Sequence, residues 1–554
     1  MRWFLQIFGW SLLAFAVGGL HFGQAYAQDD AASNERLSAA TWKKDLPRHA
    51  ADYLGGSRYE PCELDLAADT PLDAVGLSGR VADIYERIDR TNAFVREGRK
   101  TISLRGWRNE RVHAQVVVWS GVAQGGVRLG VSDLVSQGGA VIPGRFVSGR
   151  FVRYVLGSNQ SFGHHEGYRT YADCLDDAER LPMPARSFRP IWYTVSVPRD
   201  ARPDVYRGVF SVCADGGVRL DFPVELTVVD RTLPDVRDRK FFLDLWQHPL
   251  GVARYHGVKP FSPEHYRVLE PLYRELAAAG QKAVTAPITD FPWGGDGGSM
   301  AYGGEYALTP IRSLVKYIKK ADGTYTADFS LFDEYVAFCR KCGMGPQIHC
   351  YTIVKFAKRE MFQYIDEASG DLVHVRLPTG SAEWKAYVAP LLRLVAQHLR
   401  EKGWFEDSYI ALDEVVPEMS RIARDFVAEI VPDFKFAEAS NIHPRNYSDI
   451  SIDNYSQILW HDLETKETFV PDEFLASVKA RKAAGKITTF YVCTGPVHPN
   501  NQLRSPLAEN FWIGAYPAFS GMDGFLRWAW NSWPRDPLTD ASFGDWAAGE
   551  TFLV

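Results

Sequence analysis

The chain has 554 residues, of which 46% are hydrophobic and 23% charged, and its formal net charge is -6. A chain of this length is expected to form more than one domain. Charges of both signs are spread along the sequence without a basic cluster, which counts against nucleic acid and anionic membranes as partners. The cysteines number seven, an odd count that excludes a fully paired disulfide framework.

The first 27 residues have the pattern of a secretory signal peptide. Arg2 precedes an apolar segment, and the small residues Ala25 and Ala27 predict cleavage before Gln28. The alternative is a membrane anchor that stays attached. No later segment has the ~20 unbroken apolar residues that a membrane span requires. We therefore expect an exported protein, periplasmic or secreted, with no membrane span after signal removal, and a linker or N-terminal extension over residues 28–60.

Residues 61–235 are predicted to form a β-sandwich domain. The segments "ERVHAQVVVWSG", "PIWYTVSVP" and "YRGVFSVCADGGVRLDFPVELTVVD" alternate apolar and polar residues between Gly, Asp and Pro turns. The tetrapeptide "ADGG" between two of these strands predicts a hairpin. Strands that bury one face each are typical of two packed sheets. The segment "RTLPDVRDR" is expected to mark the end of this domain.

Residues 240–554 are predicted to form a (β/α)8 TIM barrel, because eight strand-like segments alternate there with helical ones. The first long helical segment has Ser262 as its cap, Pro263 in its first turn and Gly280 at its end. A doubly wound open sheet is the alternative, although no Gly-rich phosphate loop supports it. The predicted strands are, in order, "KFFLDLWQHP", "KAVTAPITD", "PQIHCYTI", "SYIALDEV", "FKFAEASN", "ISIDNYSQI", "ITTFYVCTG" and "GFLRWAWN".

Polar and aromatic residues recur at the carboxyl ends of these strands, where barrel enzymes carry their active sites. Ten of the sixteen Trp follow residue 240. Tryptophan is costly as mere filler, because its N–H needs a partner when buried, and aromatic faces suit the apolar faces of pyranose rings. Asp453 and Thr494 are among these strand-end residues. The candidate substrate-binding residues are Asp244, Trp246, His248, Tyr351, Asn441, Tyr455, Arg527, Trp528 and Asn531.

The fourth strand, in "DSYIALDEVVPEM", ends on two adjacent carboxylates, Asp413 and Glu414. Neighbouring side chains of a strand point to opposite sides. The pair can therefore face one cleft only if the end of the strand twists or bulges. In that case the charge of one carboxylate is expected to raise the pKa of the other and to keep a proton on it at neutral pH.

A protonated carboxyl group beside an ionised one suits glycoside hydrolysis. Ordinary catalytic pairs lie about 5 Å or more apart across the sugar. Adjacent residues suit a route in which the substrate's 2-acetamido oxygen attacks the anomeric carbon. Glu414 would be the acid and base, and Asp413 would hold the acetamido N–H and stabilise the oxazolinium charge. Spacing alone equally allows the pair to cap a helix that starts near Pro417, because acidic residues favour helix N-termini.

Neither a metal nor an organic cofactor is predicted. Cys339 and Cys342 form an isolated CxxC in a segment of helical periodicity, without the four ligands of a structural zinc site. We expect these cysteines to be structural or free thiols.

The segments "FFLDLWQHPLGVARYHGVKPFSPEHYRVLEPLYRELAAAGQKAVT", "KGWFEDSYIALDEVVPEM" and "GMDGFLRWAWNSWPRDPLTD" resemble glycoside hydrolase family 123. The segments "WRNERVHAQVVVW" and "RPIWYTVSVPRDA" resemble the β-sandwich of that family, which comprises exported β-N-acetylgalactosaminidases with a sandwich before a (β/α)8 barrel. The resemblance implies retaining exo-hydrolysis of a glycan or glycoconjugate, with Asp413 and Glu414 as the catalytic pair. It also matches the family's motifs at Asp244, Trp246, Gln247, His248, Arg527, Trp528, Asn531 and Trp533.

Two features depart from the family pattern. The Gly-rich segment 287–304 predicts an altered loop after the second strand, and the apolar end "AGETFLV" leads us to expect a barrel truncated at its C-terminus. Two alternative functions stay open. One is a non-catalytic glycan-binding protein, against which the intact carboxylate pair argues. The other is a glycosidase of the same fold that acts on another hexosamine or on a 2-hydroxy sugar. The sequence makes no prediction about the oligomeric state.

Overall fold

The computed structural model describes residues 62–63, 76–88, 98–158, 168–289, 313–355, 360–441, 451–461, 468–469, 472–533, 548–550 and 553. The predicted signal peptide and the extension up to residue 60 lie outside these ranges. Most of the Gly-rich segment lies outside them as well. Among the helices within these ranges, none is long and apolar enough to cross a membrane.

The N-terminal domain consists of two β-sheets. One has the order β2-β4-β11-β8-β9, with β1 also paired to β11, and the other has the order β10-β5-β12-β13-β3, with β6 and β7 alongside. The strands are β1 (Cys62–Glu63), β2 (Ser78–Ala82), β3 (Ile102–Arg108), β4 (Arg111–Ser120), β5 (Gln124–Val131), β6 (Leu134–Ser136), β7 (Val141–Ile142), β8 (Val147–Ser158), β9 (Tyr168–Asp176), β10 (Leu181–Met183), β11 (Ser187–Ser196), β12 (Asp204–Cys213) and β13 (Arg219–Thr232).

Alternating burial makes these sheets a sandwich. On β13, every second residue from Phe222 to Val228 is buried, as the period of two in a strand requires. Tyr193 of one sheet stacks on Phe210 of the other, with ring centroids 4.4 Å apart. The predicted "ADGG" hairpin joins β12 and β13, which pair in antiparallel fashion. These contacts give the domain one continuous apolar core between its sheets.

The second domain alternates strands and helices. Its helices are α1 (Pro249–His256), α2 (Pro263–Ala279), α3 (Ser330–Cys342), α4 (Ala382–Glu401), α5 (Pro417–Ile430), α6 (Asp472–Ala483) and α7 (Ala508–Ser520). Its strands are β14 (Phe242–Leu245), β15 (Ala283–Thr285), β16 (Lys316–Lys319), β17 (Tyr325–Asp328), β18 (Gln347–Tyr351), β19 (Met361–Asp366), β20 (Leu372–Arg376), β21 (Ser408–Asp413), β22 (Lys435–Ser440), β23 (Asn454–Ile458), β24 (Trp460–His461), β25 (Thr468–Phe469), β26 (Ile487–Tyr491) and β27 (Gly524–Arg527).

Eight of these strands form the predicted parallel barrel. Their order is β14-β27-β26-β23-β22-β21-β18-β15, and each lies within one of the eight predicted strand segments. The backbone of Leu243 bridges to Gln281 beside β15, which brings the two ends of the sheet together. The predicted fold class, a β-sandwich followed by a (β/α)8 barrel, is therefore confirmed.

Three features of the barrel domain differ from the expectation. Helices α1 and α7 were not predicted, and β16, β17, β19 and β20 form a separate four-stranded sheet built from the segments after β15 and β18. Helix α2, in contrast, begins and ends as predicted. The Ser262 hydroxyl accepts a hydrogen bond from the His265 N–H, Pro263 lies in the first turn, and Gly280 ends the helix with a left-handed backbone.

The barrel strands pack on both of their faces. On β21, Ile410 and Leu412 pack in the apolar layer between the barrel and its helices, whereas Tyr409 and Ala411 face the interior. We call the interior set the inner cluster. It comprises Trp246, Tyr351, Tyr409, Ala411, Ala437, Ala439, Tyr491, Leu526, Trp528 and Ala529.

Candidate active site

Strand β21 delivers Asp413 to the mouth of the barrel. Tyr409 and Ala411 belong to the inner cluster, and alternation along the strand places Asp413 on the same inner face. Asp413 is the last residue of β21 and is buried, with 8% of its surface exposed. The charge of Asp413 also contributes to raising the pKa values of Tyr351 and Tyr491, two residues of the inner cluster.

Glu414 reaches the same face because its backbone leaves the strand conformation. Strict alternation would turn Glu414 outwards with Leu412. Instead, Glu414 has a φ of 48°, in the left-handed region that residues other than glycine rarely adopt. Its N–H still donates to the Ala439 carbonyl at 2.8 Å, so the hydrogen bonding to β22 continues past the end of β21. The twist at the strand end that a shared cleft requires is therefore present.

Two neighbouring side chains hold the Glu414 carboxyl group. The Tyr491 hydroxyl donates to Oε1 at 2.6 Å, and Asn441 Nδ2 donates to Oε2 at 2.9 Å. Burial raises the pKa of Glu414, while these two hydrogen bonds act in the opposite direction. The direction is the one expected from the sequence, but the cause differs: burial raises the pKa, whereas the charge of the neighbouring carboxylate was expected to do so. Burial also keeps the pKa of Tyr491 well above its usual value, so this hydroxyl retains its proton.

The contacts of Glu414 argue against the helix-capping alternative. Helix α5 begins at Pro417, and its N-cap residue, Val416, makes no side-chain capping bond. The acidic residue in the first turn is Glu418. The Glu414 carboxyl group instead accepts hydrogen bonds from Asn441, directly after β22, and from Tyr491, at the end of β26. The Glu414 carboxyl group therefore faces the barrel mouth and not the start of the helix.

Aromatic rings surround the pair from inside the barrel. The rings of Trp246 and Tyr351 meet edge to face, with centroids 5.3 Å apart. Trp528 packs in the same inner cluster as Tyr491, and its ring lies 5.8 Å from the ring of His248. Burial raises the pKa of Tyr351 well above its usual value, and the nearby charges of Asp244 and Asp413 add to this effect. The site therefore combines two carboxyl groups with apolar ring faces and tyrosine hydroxyls that stay protonated.

His248 is held as a neutral imidazole. Its ring Nε2 donates to the Trp528 carbonyl at 3.0 Å, and its backbone N–H donates to Asn531 Oδ1 at 2.8 Å. Burial lowers the pKa of His248 to about 4. Because Nε2 carries the hydrogen, Nδ1 is left as an acceptor. The buried Asn531 Nδ2 has no hydrogen-bond partner among the described residues, so a donor is available there as well.

Asp244 lies deeper in the barrel, within a buried polar network. Its carboxylate is 3.3 Å from His349 Nδ1 and accepts a hydrogen bond from Gln281 Nε2, also at 3.3 Å. His349 in turn contacts Gln347 at 2.9 Å, and Gln347 accepts a bond from Asn454 at 3.1 Å. This network links four of the barrel strands or their flanks beneath the inner cluster.

Comparison with known proteins identifies the family of the chain. The model of the glycoside hydrolase 123 catalytic domain matches residues 246–554, and the model of the glycoside hydrolase 123 N-terminal domain matches residues 83–214. The chain belongs to glycoside hydrolase family 123. The predicted family is thus confirmed, and membership makes the protein a glycosidase whose substrates are glycans.

Solved structures support the fold of this family 123 glycosidase. A family 123 glycoside hydrolase from Clostridium perfringens matches with a TM-score of 0.76 and 23% identity, over 86% of this chain and 82% of that chain. A GH5 xyloglucanase from Bacteroides ovatus matches with a TM-score of 0.28 and 9% identity, over 84% of this chain and 95% of that chain, which is too distant to support an argument. Among curated proteins, no significant match is found.

Three of the predicted substrate-binding residues lie away from the inner face of the glycosidase barrel. Tyr455 packs against Phe474 of α6 in the layer outside the barrel. Trp533 packs edge to face on Tyr255 of α1, with centroids 5.4 Å apart. The side chain of Arg527 donates to the carbonyl groups of Val492, Gly549 and Glu550. These placements differ from those of Asp244, Trp246, His248, Tyr351, Asn441, Trp528 and Asn531, which lie in or beside the inner cluster.

One residue of the site was not singled out from the sequence of this glycosidase. Tyr491 is the last residue of β26, whereas the sequence drew attention to Thr494 on the same segment. The signal available was a tyrosine at the carboxyl end of a predicted barrel strand. This signal would have identified Tyr491 as a site residue only if the inward direction of its side chain had been known.

The described residues show no metal centre in the glycosidase. Within the ranges given above, no three His, Cys, Asp or Glu side chains are grouped so as to hold a metal ion. Cys339 and Cys342 are buried free thiols on α3, and burial raises the pKa of Cys342 to about 11.

Proposed function

We propose that this protein is an exported, retaining exo-glycosidase that releases β-linked N-acetylgalactosamine with the help of the substrate's own 2-acetamido group. The observation that carries the proposal is the placement of two consecutive carboxyl groups, Asp413 and Glu414, at one barrel mouth. Membership of a glycosidase family supplies the reaction class. The geometry supports the roles that we assign to the two carboxyl groups.

In the first step, the glycosidic C–O bond breaks. Glu414 gives its proton to the leaving oxygen, while the acetamido oxygen attacks the anomeric carbon from the other face and forms a new C–O bond. A carboxyl group whose pKa is raised by burial is suited to hold this proton until it is needed. The hydrogen bonds from Tyr491 and Asn441 then stabilise the carboxylate that remains.

In this scheme Asp413 acts on the acetamido group itself. Its carboxylate accepts the amide N–H, turns the acetamido oxygen towards the anomeric carbon, and stabilises the positive charge of the oxazolinium intermediate. The nucleophile is thus part of the substrate, so the two carboxyl groups need not lie across the sugar from each other as in ordinary pairs. Adjacent residues meet this requirement.

In the second step, water opens the intermediate. Glu414, now ionised, takes a proton from water, and the water oxygen attacks the anomeric carbon as the bond to the acetamido oxygen breaks. Two successive inversions leave the sugar with its original β-configuration. Glu414 is protonated again and ready for another cycle.

The substrate proposed is a terminal N-acetylgalactosamine on a glycan or glycoconjugate. The inner-face ring of Trp528 is the apolar surface that we assign to the pyranose ring, with Trp246 packed beneath the site at 1% exposure. The Clostridium perfringens enzyme of the same family acts on glycolipid glycans. A glycolipid-borne glycan is therefore the first natural substrate to test.

Export rests on residues 1–27 alone. A protein fractionated from its native cells should occur in the periplasm or the medium, and its mature N-terminus should be Gln28. Retention in the membrane with Met1 or Arg2 at the N-terminus would support the anchor instead.

Hydrolysis of aryl glycosides tests the proposed activity. Wild-type enzyme should release the aryl group from a β-N-acetylgalactosaminide, whereas Glu414→Gln should lose turnover of substrates with poor leaving groups and Asp413→Asn should lose rate but keep binding. Glu418→Gln is the matched control, because Glu418 is exposed on the first turn of α5 and should keep full activity.

The same assay separates the alternatives. Full activity of both pair variants would refute the assigned roles. Retention of glycans without release of sugar by wild-type protein would indicate a binding protein. Weak inhibition by a thiazoline mimic of the intermediate would indicate a glycosidase that does not use the acetamido group.

A further inference from the structure

A buried ion pair connects residues 548–550 to the eighth barrel strand, β27. Arg527 and Glu550 both have fully buried side chains, and Arg527 Nη2 lies 3.2 Å from Glu550 Oε2. The same guanidinium donates to the carbonyl groups of Gly549 and Glu550 at 3.1 and 3.0 Å. Residues 548–550 are therefore held against the barrel by side-chain and backbone contacts together.

Two further donors converge on the Glu550 carboxylate. Trp528 Nε1 donates to Oε1 at 3.1 Å, and Gln502 Nε2 donates to Oε2 at 2.8 Å. Oε1 thus accepts the hydrogen bond of the indole, while Oε2 contacts Gln502 and Arg527. Since an indole has a single donor, this bond fixes the direction in which the Trp528 ring points.

The backbone carbonyl and the ring of Trp528 also contact residues of the candidate active site. Its carbonyl accepts the His248 Nε2 hydrogen, its ring lies edge to face with His248, and it shares the inner cluster with Tyr491, which holds Glu414. We propose that Glu550 is a positioning residue that sets the Trp528 ring against the bound sugar. The inference deepens the proposed function and rests on it, because it assigns Trp528 to the wall of the sugar site.

The backbone beside Glu550 is built for close approach. Gly549 has a φ of 80°, and a Cβ atom added there would lie 2.6 Å from the Leu503 backbone nitrogen. The Leu503 N–H donates to the Ala548 carbonyl at 2.8 Å. A glycine is needed at this position for the segment to pass the 502–503 backbone and reach Trp528.

A purely stabilising role explains these contacts less well. Buried ion pairs are often no more stabilising than apolar residues of similar volume, because both charges lose their hydration. The pair does, however, give a carboxylate that can accept three donors at once in fixed directions. The indole is one of these donors, and it belongs to the proposed site.

A double-mutant cycle between Glu550→Gln and Trp528→Phe tests the proposal. A glutamine can keep its one acceptor oxygen with Gln502 and Arg527, but its NH2 group then faces the indole N–H, so the Trp528 ring loses its fixed direction. We expect Glu550→Gln to lower kcat/KM of an aryl β-N-acetylgalactosaminide about 10- to 100-fold, the range that a misplaced active-site group produces. KM should rise as well, because the sugar-binding wall has moved.

In the Trp528→Phe background, which has no indole donor to position, Glu550→Gln should change kcat/KM by less than about twofold, since the two effects are not independent. The matched control is Glu438→Gln, which makes the same change at a buried carboxylate that accepts from Ser420 in the layer outside the barrel. This control should lower the melting temperature without changing KM.

Equal fold-losses from Glu550→Gln in both backgrounds, with KM unchanged, would overturn the proposal and leave a structural role. If Glu550→Gln does not fold, Gln502→Leu replaces it, because this variant loosens Glu550 and keeps Arg527 paired. It should give a smaller loss in the wild-type background and none beside Trp528→Phe, and equal losses would again overturn the proposal. Failure of the proposed function is distinguishable, because wild-type protein itself would then be inactive on the substrate.

Discussion

Removing the Tyr491 hydroxyl isolates one contact of the proposed acid. The substitution Tyr491→Phe keeps the ring in the inner cluster but deletes the donor that lies 2.6 Å from Glu414 Oε1. Asn441 still donates to Oε2 at 2.9 Å, so the carboxyl group keeps one of its two anchors. The expected change is therefore in rate and proton affinity rather than in fold.

The size of the effect follows from the change in charge on Glu414. A hydrogen bond to an ionised group contributes about 1.5–3 kcal/mol, and one between neutral groups about 0.5–1.5 kcal/mol. Because Glu414 ionises as the leaving group departs, the Tyr491 bond strengthens by about 1–1.5 kcal/mol during the step. Losing this difference should lower kcat about tenfold, since 1.36 kcal/mol corresponds to a factor of ten.

The pH profile of Tyr491→Phe should move as well. The Tyr491 hydrogen bond lowers the pKa of Glu414, so its removal raises that pKa further. Activity in the first step requires the protonated form, so the alkaline limb of kcat/KM should move to higher pH.

The assay is hydrolysis of aryl β-N-acetylgalactosaminides that differ in leaving-group acidity. The loss should be largest for poor leaving groups, which depend most on the proton. Tyr335→Phe is the control, because it deletes a hydroxyl 2.9 Å from that of Tyr273 in the helix layer and should leave kcat unchanged. A loss that is the same for every leaving group, or no loss at all, would refute the reasoning.

Three further predictions concern stability and placement. Because burial raises the pKa of Glu414, the folded state holds its proton more tightly than the unfolded chain does, and the free energy of unfolding should fall as pH rises through the folded pKa. Glu414→Gln should therefore melt at a higher temperature than wild type at alkaline pH and at the same temperature in acid. Burial lowers the pKa of His265 from 6.5 to about 4, so between these pH values the unfolded chain binds a proton and the folded state does not. Denaturant titrations should therefore show that the free energy of unfolding falls as pH drops from 6.5 to 4, and that it falls less steeply for His265→Gln. Tyr455→Phe should leave KM unchanged, because Tyr455 lies in the layer outside the barrel and donates to Gln457 at 2.7 Å; a raised KM would place Tyr455 at the sugar.

Most of the barrel could be predicted from the sequence because each strand is a compact apolar segment between recognisable helices. Helix α2 carried a full set of end signals at Ser262, Pro263 and Gly280, and it begins and ends where they indicate. Helix α7 has an end signal only at Gly521, whose backbone is left-handed, and Leu507 at its start makes no side-chain cap. Its amphipathic pattern is weak, so Gly521 alone did not set the segment apart from a loop.

The facing of side chains at the strand ends was harder to predict. Parallel barrel strands are buried on both faces, so their sequences are apolar throughout and do not mark the inner side. At the end of β27, Leu526 and the following Trp528 face inwards, whereas Arg527 between them faces outwards. These directions could be assigned only from the contacts in the structure. Position at a strand end was therefore enough to select Trp528 as an inner-face residue. It was not enough to exclude Arg527 or Tyr455, whose side chains face away from the barrel interior.

Glu414 shows where alternation itself fails. The sequence could state the condition for a shared cleft, namely a twist at the end of the strand, but not whether it is met. The left-handed backbone at Glu414 meets it. Such a conformation costs of the order of 1 kcal/mol or more in a residue other than glycine and is characteristic of functional sites.

Weakening the acetamido oxygen as a nucleophile is the most direct test of whether Asp413 and Glu414 use it in the reaction. The measurement is kcat/KM for aryl β-glycosides with one leaving group and N-acetyl, N-fluoroacetyl, N-difluoroacetyl or N-trifluoroacetyl groups. Each added fluorine withdraws electrons from the amide oxygen, so attack by this oxygen predicts a steady fall in kcat/KM across the series. A kcat/KM that does not depend on the number of fluorines would show that the acetamido oxygen is not the nucleophile.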